Sequence, residues 1–155
     1  MIVLDTNVVS ELMRPSVAAP VRDWLAGQPA ASLCTTAITV AEIRYGLERL
    51  ASGQRKDRLI AAADGIFAAF SEFVLPFDSR AAARYAVIVA GRERAGQPID
   101  GFDAQIAAIC RDRGAALATR NVKHFSDTGI EVVDPWHHAE PSADSQSYLA
   151  PRDRR

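Results

Sequence analysis

No stretch of this chain approaches the roughly 18 uninterrupted apolar residues that a membrane span requires, which excludes an integral membrane helix. Cysteine is scarce: Cys34 and Cys110 are the only two, and each stands in an apolar run. That placement suits buried thiols in a reducing compartment and argues against a disulfide framework. No Gly-rich phosphate loop follows the first strand-like segment, and no Ser or Cys shows a nucleophile–base pairing. Histidine occurs three times. His137 and His138 are adjacent, a poor chelating spacing, and His124 reads as a solvated loop residue. Neither sign of charge prevails, with 18 Lys+Arg against 19 Asp+Glu and a net charge of −1. Coating of nucleic acid through bulk positive charge is thereby disfavoured, while a small local phosphate site stays open. The opening MIVLDTNVVSEL carries an acid at Asp5 and no basic segment ahead of it. It is unlike a secretory leader, and a cytoplasmic location is expected.

What is present is the composition of one globular domain: 155 residues, 48% hydrophobic and 24% charged, a length that a single core serves. There is no internal repeat. The closing stretch HHAEPSADSQSYLAPRDRR loses apolar periodicity and gathers Pro, Ser, Asp and Arg, so a domain over 1–136 and a disordered tail over 137–155 are expected. Before it, short β-type runs alternate with helical patterns, which predicts an α/β domain with a parallel sheet. Strands are expected at 2–4, 32–35, 74–77, 116–118 and 131–133. Helices are expected at 8–13, 20–26, from near 39 to Gly53, and at 55–70, 80–94 and 102–113. The last should bury Phe102, Ile106, Ile109 and Cys110.

In a parallel sheet, a helix that follows a strand directly starts at the strands' carboxyl edge, as does a helix running down just before the next strand rises. Asp5 ends the first strand and Asn121 lies just past the fourth. Glu42 is placed in the first turn of the helix after strand two, and Asp103 in the first turn of the helix before strand four, with Asp100 one turn ahead of it. All five are assigned to one edge, where open α/β folds bind ligands. Two helices lie between strands two and three, and two between strands three and four, so one of each pair must lie across the sheet rather than run its length. At about 100° per residue, Glu42 flanks apolar Ile43 and Asp103 flanks Phe102, so each carboxylate borders its helix's apolar stripe. Carboxylates gathered there repel one another, so either protons or a cation must occupy the site. An oxygen-only donor set suits Mg²⁺ or Mn²⁺ rather than zinc.

Each residue also has a plainer role open to it. Asp5, Thr6 and Asn7 are all helix N-cap types. Thr39-x-x-Glu42 matches a capping box, the better reading of Glu42 taken alone. Asp100 and Asp103 suit the positive end of a helix dipole, and Asn121 suits a turn. Convergence of independent elements on one edge favours the ligand reading.

These residues make the chain resemble the PIN-domain ribonucleases of the VapC toxin type, in the FitB-like branch. The resemblance spans nearly all of residues 1–136. It rests on VLDTNVVSEL, TTAITVAEIRYGL, DAQIAA from Asp103, ATRNVKHF from Ala118 and the closing VVDPW. It implies a three-layer domain whose parallel sheet has the order 3-2-1-4-5, flanked by helices. Asp5, Glu42 and Asp103 match the family's acidic metal-binding triad, and Asn121 falls where relatives carry a fourth acid or Asn, a position that orients water. Thr6 and Thr119 match hydroxyls that hydrogen-bond the cluster, with Asp100 auxiliary. The implied activity is Mg²⁺- or Mn²⁺-dependent cleavage of RNA by metal-activated water, leaving a 5′-phosphate and a 3′-hydroxyl. The implied partners are a cognate antitoxin, a second copy of the chain and the RNA substrate. All but two of the basic residues are arginine, a side chain that grips phosphate bidentately. Arg14, Arg44 and Arg120 are the candidates for positioning RNA. The stretch LIAAADGIFAAF offers apolar surface for a partner or for the core.

Two other classes compete. A phosphoryl-receiver signalling module is also α/β with Asp at strand ends, and Asp78 follows strand three. Such a module needs an acidic pair after strand one and a lysine after strand five, which this chain lacks, and it gives Glu42 no role. A PIN-like domain that only binds a partner is disfavoured by the intact acids.

Overall fold

A computed structural model describes residues 1–70 and 72–137. Five strands, β1 (Ile2–Leu4), β2 (Leu33–Thr36), β3 (Val74–Leu75), β4 (Ala116–Ala118) and β5 (Val132–Val133), form one sheet in the order β3-β2-β1-β4-β5. Every pairing is parallel. The order agrees with the one implied by the family resemblance and puts β1 at the centre, beside β4. The helices are α1 (Thr6–Leu12), α2 (Ala19–Ala26), α3 (Ala37–Glu48), α4 (Gln54–Ala69), α5 (Ser79–Arg94) and α6 (Gly101–Arg113).

Side chains alternate across a strand, so each strand feeds two cores. Val3, Cys34 and Leu117 point to one face, where Ile88 of α5 and Ile106, Ala107 and Cys110 of α6 cover them. Leu4 and Ala118 point to the other, where they meet Val8 and Val9 of α1, Trp24 of α2, Ile43 of α3 and Phe67 of α4. The result is three layers with α5 and α6 on one side and α1–α4 on the other. Both cysteines are free and buried, and burial pushes the Cys34 thiol up to about 11 and Cys110 higher still. No helix among the described residues is long and apolar enough to cross a membrane.

The differences from the sequence reading have local causes. α1 begins at Thr6 rather than near residue 8 because the Asp5 carboxylate accepts the Thr6 N–H at 2.8 Å. α3 begins at Ala37 because the Thr36 hydroxyl accepts the Thr39 N–H at 3.0 Å. Thr36, not Thr39, is therefore the N-cap. Glu42 lies in the second turn, and the capping-box reading of Thr39 and Glu42 is wrong. β3 stops at Leu75 because Pro76 has no N–H to give the ladder. Phe102 is 50% exposed and not part of the core; the buried face of α6 is built from Ala104, Ile106, Ala107, Ala108, Ile109 and Cys110. The expected tail falls, beyond His137, outside the described residues. On the far side of α4, Leu59, Ile66 and Phe70 line an apolar groove of about 1260 Å³ together with Leu12 and Met13.

Candidate active site

Asp5 is the first residue past β1, and its N–H still bonds to the Ala118 carbonyl of β4 at 3.0 Å. The sheet therefore fixes its backbone, and three donors fix its side chain. Oδ1 accepts from the Thr6 N–H, while Oδ2 accepts from the Thr119 hydroxyl at 2.6 Å and the Asn7 carboxamide at 2.9 Å. Thr119, fully buried one residue past β4, is itself saturated: its oxygen also accepts from Asn7 Nδ2 at 2.8 Å and from the Asn121 N–H at 3.0 Å. Asn7 closes the link by accepting the Arg120 N–H at 3.1 Å. Two strand ends are thus stitched together by side chains around one carboxylate.

Glu42 reaches the same place from α3, where its Oε2 accepts the Thr6 hydroxyl at 2.5 Å. Asp103 arrives from the first turn of α6, and its Oδ2 lies 3.0 Å from His124 Nδ1. All three carboxylates line one cleft of about 380 Å³, with Asn121, Arg14 and Arg120 also on its walls. Burial is the largest influence on each carboxyl and pushes all three above the ordinary carboxylate range. Mutual repulsion adds to it: Asp103 raises Asp5, and Asp5, Asp103 and Asp100 raise Glu42. Hydrogen bonds from Thr119, Thr6 and His124 oppose the rise.

Four of the five residues assigned by parity to this edge, Asp5, Glu42, Asp103 and Asn121, line the cleft. The fifth, Asp100, is the N-cap of α6, where it accepts the Phe102 N–H at 2.9 Å, and it lines a smaller cavity beyond Asp103. Arg14 stands at the cleft and pairs with Glu11 at 3.3 Å. Arg120 lies over the Trp136 ring at 5.0 Å, also on the cleft wall. Arg44 is elsewhere: it pairs with Asp64 of α4 at 2.7 Å and lies over Phe67. Three residues left out of the expected site take part. Asn7, read as either a cap or a ligand, bridges the two strand ends. His124, read as solvated, holds Asp103. Glu11 is buried and anchors the chain ahead of α2 by accepting the Ala18 N–H at 2.8 Å. Only Asn7 carried a signal, since a polar run of Asp-Thr-Asn at a strand end exceeds what one cap needs.

The donor set suits a hard divalent cation: three carboxylates from three elements, oxygen only, with proton affinity raised by burial and repulsion. The carboxylates line the cleft without closing into a finished cage, as no group of three His, Cys, Asp or Glu among the described residues is drawn up as a metal shell.

An open, parallel α/β sheet with acids converging at the carboxyl edge of its two central strands defines a class of ligand-binding and phosphotransfer domains. The family model described as the PIN domain matches residues 2–131, and the chain belongs to that family. It is 37% identical over 140 residues to the VapC ribonuclease Y4jK of Sinorhizobium fredii, covering 90% of this chain and 100% of that one. It is 37% identical over 138 residues to the toxin FitB of Neisseria gonorrhoeae, covering 88% and 99%. The crystal structure of FitAcB from Neisseria gonorrhoeae superposes with a TM-score of 0.83 at 37% identity, covering 89% of this chain and 100% of that one. Membership of the PIN family removes the phosphoryl-receiver reading. β3 lies at the sheet edge, and Asp78 after it is occupied in capping α5 through the Arg80 and Ala81 N–H groups.

Proposed function

We propose that this chain is the toxin of a toxin–antitoxin pair, a cytoplasmic endoribonuclease that works with Mg²⁺ or Mn²⁺ held by Asp5, Glu42 and Asp103. The observation that carries the reading is the convergence of these carboxylates, from β1, α3 and α6, on one cleft at the carboxyl edge of the sheet. A bound divalent cation supplies Lewis acidity there, activating water and offsetting charge on the phosphate oxygens. The protein's part is positional. Thr119, Asn7 and the Thr6 N–H hold Asp5 in one rotamer, and the Thr6 hydroxyl holds Glu42. The Asn121 side chain lines the cleft with no hydrogen-bond partner among the described residues, so its amide is free to orient water at the reacting phosphate. Arg14 and Arg120 on the cleft walls grip the RNA backbone. Arg44, engaged with Asp64 and Phe67, supports the α3–α4 packing instead.

The relatives named above include a ribonuclease and a toxin, and their solved neighbours include toxin–antitoxin complexes. By that likeness the chain pairs with a second copy and with a cognate antitoxin, for which the apolar groove beside α4 offers surface. The test is cleavage of RNA by the purified chain. Wild-type protein should cut in Mg²⁺ or Mn²⁺ and stop when the ion is chelated, and Asp103→Asn should lose at least two orders of magnitude in rate while keeping its melting cooperativity. Equal cleavage by folded Asp103→Asn would remove Asp103 from the catalytic set.

A further inference from the structure

Arg92 of α5 is only 6% exposed, yet no carboxylate lies within ion-pair distance of it among the described residues. Its Nη1 donates to the Ser126 carbonyl at 2.5 Å and hydroxyl at 2.9 Å. Its Nε has no partner, the single buried side-chain N or O atom so left among the described residues. Buried charges are ordinarily paired, because an uncompensated one loses its solvation for nothing in return. Arg92 walls a cavity of about 210 Å³ on the far side of Asp103 from the main cleft. Lys123, exposed and without an ion pair, and His124 stand on the same cavity. So do Asp100 and Asp103, but Asp100 is turned to the Phe102 N–H and Asp103 is engaged by His124. Asp103 lines both cavities.

We propose that this second cavity seats a backbone phosphate of the RNA strand against Arg92 and Lys123, next along the chain from the phosphate in the main cleft. The inference rests on the ribonuclease reading and deepens it. A polyanion with regularly spaced charges is the ligand that fills both cavities at once, and Asp103 marks the divide between them. Lys123 gives the phosphate its exposed point charge, while the Arg92 guanidinium, held at the cavity wall by Ser126, adds positive charge that costs no side-chain ordering on binding. The strand would then cross α6 at its first turn, and register at the cut would be set from both sides.

The experiment measures binding of a fluorescent, single-stranded RNA pool of random sequence across a range of salt. Both proteins carry Asp5→Asn to prevent cleavage, and one also carries Lys123→Gln. Arg92 ties α5 to the segment after β4 and its removal disturbs packing, so exposed Lys123 carries the test. Loss of one phosphate contact should weaken binding several-fold at low salt and lower the slope of log K against log salt by about 0.7. Lys123→Arg, which keeps the charge, should restore both. An unchanged affinity and slope in Lys123→Gln would overturn the proposal. Failure of the wild-type protein to bind or cleave RNA in Mn²⁺ would instead overturn the ribonuclease reading on which it rests.

Discussion

Thr6 donates through its backbone to Asp5 and through its hydroxyl to Glu42, so a single residue sets the distance between two acids that repel each other. A glutamate acting by charge and one acting by hydrogen bonding respond differently to an amide. Glu42→Gln keeps an acceptor for Thr6 but removes the repulsion. Stability without metal should therefore hold or rise, while Mn²⁺ stabilisation and RNA cleavage fall together. Thermal melts with and without Mn²⁺ check this, and unaltered metal stabilisation in the variant would return Glu42 to a structural role. The same repulsion predicts a pH dependence. Burial raises the folded-state pKa of Asp5, Glu42 and Asp103, so folding takes up protons. The stability this confers is fully present below the ordinary carboxylate range, near 4, and is lost as pH rises through the raised folded values. In chelator, the melting midpoint should rise as pH is lowered from neutral toward the ordinary carboxylate range, and Asp5→Asn should flatten that rise. Asp78 titrates with the opposite sign, but its pKa is held down by the Ala81 and Arg80 N–H groups, below that interval. At this scale the acids were legible in the sequence because chain position and strand parity point them to one edge. His124 was not legible, since its contact with Asp103 spans 21 residues and depends on how the turn after β4 folds back.

Helix α6 presents Asp103 to the cleft without burying it in the core. Its buried face uses small residues, Ala104, Ala107 and Ala108, around Ile106 and Ile109, which leaves Asp103 at the border and Phe102 outside. The helix ends at Gly114, whose φ of +61° lets its N–H return to the Cys110 carbonyl and feeds the chain directly into β4. A side chain there meets no neighbour but disfavours the backbone. Gly114→Ala should thus cost about 1 kcal/mol in chemical denaturation and leave the rate of RNA cleavage intact. A cost near zero would show that the turn relaxes. The apolar period located all six helices, yet placed the starts of α1 and α3 two residues late. Periodicity marks where burial begins, whereas the Asp5 and Thr36 side chains set where hydrogen bonding begins.

At the scale of the whole molecule, the sheet order puts β1 beside β4, so two segments more than a hundred residues apart share Asp5, Asn7 and Thr119. Alternation of short apolar runs with helical stripes made the α/β class legible. It did not say which helices cover which face, because α4 and α5 carry the same period. The structure places α5 and α6 together over Val3, Cys34 and Leu117, and α1–α4 over Leu4 and Ala118. The proposed function requires these elements to deliver three carboxylates to one divalent cation. The most direct measurement is a calorimetric titration of Mn²⁺ into the wild-type chain and into Asp5→Asn. Saturable binding to wild type and at least tenfold weaker binding to the variant are expected, since Asp5 is the acid held most rigidly by the sheet. Equal Mn²⁺ affinity in the two proteins, both folded, would contradict the proposed function.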